Sequence, residues 1–171
     1  FVLDSLGVFA GDDYLLAGSL FLVMFPVWVK GADLYYKCND MVMGHFYMVF
    51  GITFAGLVGI GYIVLFFGHV IPGWTMDERF FGVIYLVGGA FLIPTLPSLM
   101  YMDKVNMVTW FLCTVWLING GIYYFYYSTV LYVINIICCC LVAVGITYMM
   151  LNEAYLMSYG KSLPMGKPLR E

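Results

Sequence analysis

The distribution of charge constrains this chain more than any other feature. Its seven Lys and Arg and ten Asp and Glu sit at the chain ends and in short clusters, leaving five apolar tracts that contain none of them. A charge in the hydrocarbon of a bilayer costs several kcal/mol, and about 20 apolar residues in a helix cross its ~30 Å core. The pattern therefore predicts an all-α polytopic membrane protein. Its five transmembrane helices are expected at residues 14–29, 41–67, 81–102, 105–127 and 130–152, in a single transmembrane domain over 1–171 with a short basic tail over 153–171. Composition agrees: 64% of residues are hydrophobic and 10% charged, against about 25% charged in a soluble domain.

Each tract carries its own signals. The first holds Pro26 in its last turn and leads into a polar stretch, 31–40, read as a loop with Tyr35 and Tyr36 at the membrane interface. The second is ~40 Å long as a helix, so it must tilt or project. Within it Gly51, Ala55 and Gly59 recur every fourth residue, and small side chains on one face let a second backbone approach closely. These three are the candidate helix-packing residues. In the third tract Pro94 and Pro97 are expected to kink or break the helix. The fourth ends in Tyr123-Tyr124-Phe125-Tyr126-Tyr127, an aromatic belt for a membrane surface. Phe1 stands where an initiator Met is expected, which implies either a removed targeting segment or further residues upstream.

Orientation follows from the basic residues. Lys30, Lys37, Lys104, Lys161, Lys167 and Arg170 fall on one side and only Arg79 on the other. The positive-inside bias then expects the N-terminus out and the C-terminus in, facing the cytoplasm or the mitochondrial matrix.

Little chemistry is expected. The polar groups at depth (Thr53, Thr95, Thr109, Thr114, Asn119, Asn135, Thr147 and Tyr148) are neutral, whereas pumps and ion-coupled carriers usually keep an ionisable group there. Asn119 and Asn135 either line a polar path or, more often for such amides, bond a neighbouring helix. His45 and His69 lie 24 residues apart, ~36 Å along one helix, too far to share a haem iron. Cys138, Cys139 and Cys140 point about 100° apart in turn and do not converge on one ion. With Cys38 and Cys113 they read as packing residues. No phosphate loop, CxxC, HExxH or nucleophile elbow occurs, and no basic stripe suggests nucleic acid. An enzyme is not expected, nor a metal or cofactor.

Several stretches carry a family resemblance: Arg79-Phe80-Phe81-Gly82-Val83, Gly89, Lys104, Gly145, Tyr148, Glu153, Tyr159-Gly160-Lys161 and the closing Leu163-Pro164-Met165-Gly166. Over these residues the chain resembles the acetate–succinate permease family, the acetate uptake transporters of bacteria and fungi. Leu15-Leu16-Ala17, Tyr36-Lys37 and Phe50-Gly51 are similar to that family's second span, following loop and third span. The resemblance implies a six-span fold with both ends cytoplasmic, of which the five spans here would be the last five. It also implies a homo-hexamer whose protomers each carry a small-anion path. By the same resemblance the Tyr and Leu of the family's apolar constriction fall at Phe50 and Cys113. Together with Asn119 these are the candidate pore residues.

The departures set the functional expectation. The family signature Asn-Pro-Ala-Pro-Leu-Gly-Leu is missing along with the first span, Phe50 lacks the hydroxyl, Cys113 leaves a wider and softer gap, and Asn39-Asp40 only loosely echoes the family's Gly-Asn motif. The expectation is a non-transporting accessory subunit of a multisubunit membrane complex, in contact with lipids and other membrane subunits. Its most plausible home is an energy-converting (respiratory) assembly of the mitochondrial inner membrane. The alternative is a channel or transporter for acetate- or succinate-type carboxylates, as a homo-hexamer, for which a plasma membrane would serve equally.

Overall fold

The computed structural model describes residues 11–170, and the acidic lead around Asp4 lies outside them. Among the described residues there are five helices long and apolar enough to cross a membrane. They are α1 (Gly11–Lys37), α2 (Met41–Val70), α3 (Arg79–Tyr101), α4 (Lys104–Tyr126) and α5 (Thr129–Tyr159). α1 lies along α2, α3 along α4 and α4 along α5, and the first part of α3 also meets α2.

Two boundaries differ from expectation and a third meets it, each for a local reason. The stretch read as a loop after residue 30 stays helical to Lys37. There Asp33 accepts from Lys30 at 2.9 Å and from Lys37 at 2.8 Å, pairs spaced three and four residues apart that sit on one helix face. The chain then turns at Asn39, with φ 59°, and Asp40 caps α2 by accepting the Met43 N–H at 3.0 Å. α5 likewise runs past residue 152 to Tyr159. Tyr155 and Tyr159, one turn apart, place their ring centroids 4.8 Å from each other, and Gly160 ends the helix at φ 67°. At 31 residues α5 is ~47 Å long, so its end projects beyond the hydrocarbon.

The third is in α3, where the α-helix does stop ahead of Pro94, as expected, while the span continues. The helix is α up to Leu92 and tightens to a 3₁₀ helix over Ile93–Tyr101. With three residues per turn, both prolines fall on one side. Pro94 has no N–H to give the Phe91 carbonyl, and His45 on α2 takes that place, its Nε2 2.7 Å from Phe91 O. One histidine thus satisfies a carbonyl that a proline released.

The chain after α5 is a strap rather than a free tail. Leu163 N–H donates to the buried Asn152 Oδ1 at 2.7 Å, and Tyr148 O–H donates to Pro164 O at 3.1 Å. Val105 N–H, an unpaired donor in the first turn of α4, bonds Met165 O at 3.1 Å, while the Leu169 and Arg170 N–H groups reach Met100 O at 3.0 and 3.1 Å. Gly166, at φ 80°, passes so close to Lys104 that a Cβ would stand 2.9 Å from that side chain's own Cβ. The strap therefore ties the end of α5 to the α3–α4 turn.

Candidate functional site

Phe50 is the centre of an aromatic run. Its ring stacks on Trp28 of α1 at 6.0 Å and on Phe54 at 5.2 Å, and Phe54 stacks on Trp116 of α4 at 5.0 Å. Trp110 adds tilted contacts to Phe46 at 4.5 Å and to Phe50 at 6.0 Å. Trp110, Cys113 and Trp116 succeed one another every third residue on α4, all buried. Phe50 is 7% exposed and Cys113 0%, and both belong to one apolar core. The structure thus brings Phe50 and Cys113 into the same closed packing, whose Trp110 Nε1–H is already given to Asn106 Oδ1 at 3.3 Å.

Asn119 is elsewhere. Its Nδ2 donates to Leu131 O of α5 at 2.8 Å, so the amide ties two helices together. Asn135, 1% exposed, faces Gly120, and its Oδ1 is a buried acceptor without a partner. The threonines turn inward on their own helices. Thr53 donates to Val49 O at 2.6 Å, Thr114 to Trp110 O at 3.1 Å and Thr147 to Ala143 O at 2.8 Å. The hydrogen of each of these hydroxyls is thus committed to a carbonyl of its own helix.

Gly51, Ala55 and Gly59 are all buried. A Cβ on Gly51 would stand 3.0 Å from Trp28 Cβ, and one on Gly59 would stand 3.1 Å from Phe21 Cβ and 3.2 Å from Gly18 O. Both glycines therefore face α1. They do so although Gly51–Val58 is wound as a π-helix.

His45 and His69 stand near opposite ends of α2. His69 stacks on Tyr14 with ring centroids 5.4 Å apart and an interplanar angle of 5°. Beside it lies a feature that sequence reasoning missed, a cavity of about 540 Å³ whose walls include Tyr14, His69, Glu78, Tyr123, Tyr127 and Tyr132. These residues come from all parts of the chain. Only the tyrosine belt at the end of α4 hinted at them. Among the described residues no group of three His, Cys, Asp or Glu side chains is placed to hold a metal ion.

Comparison of the chain with protein-family models, with curated proteins and with solved structures finds no match.

Proposed function

We propose that this chain is a non-transporting structural subunit of a larger membrane assembly, built on a scaffold that resembles the acetate–succinate permeases. One observation carries the reading. Phe50 and Cys113, the positions that the resemblance assigns to an anion constriction, are 7% and 0% exposed inside interlocked rings. A carboxylate in transit needs hydrogen-bond donors to replace its water, and where the family places a tyrosine Phe50 offers a ring without the hydroxyl. The outer helices support the same reading: only 17% of the most apolar window of α1, and of α5, is buried within the chain, against 50% for α2. Two long apolar faces are thus left for lipid or for neighbouring subunits. An energy-converting complex of the mitochondrial inner membrane is the assembly proposed, with the basic strap on the matrix side.

Extraction in mild detergent tests this. The chain is expected to migrate with large partners, and migration alone or as a homo-hexamer would overturn the proposal. The alternative, a carboxylate path, gains nothing from Asn135, whose unpartnered Oδ1 is an acceptor and repels a carboxylate. Labelled acetate uptake into proteoliposomes above that of empty liposomes would establish it.

A further inference from the structure

The cavity of about 540 Å³ lies at the end of the bundle where α2 closes and α3 opens, a size usual for small-ligand sites. Its walls are mostly aromatic and differently oriented. The Tyr123 ring lies 5.6 Å from Tyr127 at 68° and 5.7 Å from Tyr132 at 43°, while Tyr14 and His69 form a parallel pair in the same wall. With His69, Tyr and Phe side chains make up seven of the twelve described lining residues.

One carboxylate, Glu78, is part of the lining. Glu78 Oε2 accepts the Tyr127 O–H at 3.4 Å, and no Lys or Arg of the described residues forms an ion pair with it. Tyr127 holds a left-handed backbone, φ 47°, immediately after the last turn of α4. A bulky residue adopts that region at a cost, and here it accompanies the contact with Glu78.

Aromatic side chains beside the carboxylates of Glu78 and Asp77 select for a cation and against an anion. Among cations, they suit one with diffuse charge and weak hydration, because ring faces attract positive charge but cannot replace a tightly held water shell. Tyr123, Tyr124 and Tyr127 also belong to the belt expected at the membrane surface, the depth at which phospholipid headgroups lie. We propose that this cavity binds a quaternary ammonium group, its source being the choline headgroup of a membrane phospholipid or a free trimethylammonium solute. The site is independent of the subunit role, since it needs neither a partner chain nor a transport path.

The test uses the full chain in phosphatidylglycerol nanodiscs, with saturation-transfer NMR on the methyl protons of tetramethylammonium and of choline. Saturable binding is expected, weakened about tenfold by Glu78→Gln and by Tyr132→Leu, in the range of cation–π and carboxylate contributions. Tyr127→Phe keeps the ring and should stay within about twofold of the parent. Dihexanoylphosphatidylcholine that displaces tetramethylammonium identifies a lipid headgroup as the source, and failure to displace it identifies the free solute. No saturable methyl signal, or equal binding by the parent and Glu78→Gln, would overturn the proposal. Glu78 is exposed, so that variant keeps the test valid if Tyr132→Leu does not fold.

Discussion

At the scale of single residues, contact distance decides which glycines matter. A Cβ on Gly18 would meet Ile63 Cγ1 at 2.7 Å and Gly59 O at 2.8 Å, and a backbone oxygen cannot step aside as a side-chain end can. Gly68, on the same helix as Gly59, leaves 3.6 Å to Trp74. Gly18→Ala is therefore expected to destabilise the bundle by about 1–3 kcal/mol, whereas Gly68→Ala should be neutral or slightly stabilising; unfolding in mixed micelles with added SDS checks both. Tyr127 adds a pH dependence. Burial, and next the negative charge of Glu78, push its phenol above the ordinary value near 10. A raised folded-state value means that the associated stability is fully present below the unfolded value and is lost as pH rises through the folded one. Thermal unfolding followed from about pH 9 to about pH 11 should show stability falling at the top of that range, and falling less in Tyr127→Phe.

At the scale of elements, α2 and α3 form one unit because a defect in one is mended by the other. The Phe91 carbonyl that Pro94 leaves open is met by His45 at 2.7 Å. His45→Ala should cost about 1 kcal/mol by leaving that acceptor unpaired. In a Pro94→Ala background, where an N–H is restored to the 3₁₀ turn, the same substitution should cost clearly less. A double-mutant cycle measures the coupling, expected at roughly 0.6–1.7 kcal/mol, and strict additivity would show that the two groups do not act on one carbonyl.

For the whole molecule, the distribution of exposure states what the bundle offers to its surroundings. α2 and α4 supply most of the buried aromatic core, while α1 and α5 present their apolar residues outward. The cysteines report on this directly, since Cys140 is exposed on α5 and Cys113 is buried on α4. A photoactivated lipid diazirine, whose carbene needs no ionised thiol, should label the α5 segment that carries Cys140 in the isolated chain and spare the α4 segment that carries Cys113. In native membranes, a subunit whose α5 face meets a partner should show that α5 segment protected, and equal labelling in both settings would place lipid there instead.

Much of this architecture was legible in the chain alone. Charge-free tracts long enough to cross a bilayer identify five spans because the cost of a buried charge acts on every residue separately. The spacing of Gly51 and Gly59 marked a close helix contact for the same reason, since size and spacing are local properties. What the tertiary structure decided concerns groups distant in sequence. Asn119 is a tie between helices only because Leu131 O lies across from it, and Asn152 holds the strap only because the chain returns to it at Leu163. Residues 31–37 have the composition of a loop and are helical, with Asp33 bridging Lys30 and Lys37. Phe50 and Cys113, far apart in sequence, belong to one buried apolar core. The tyrosine cavity draws on positions from 14 to 132, and no local rule of spacing or polarity brings those together, because only the packing of helices against one another does.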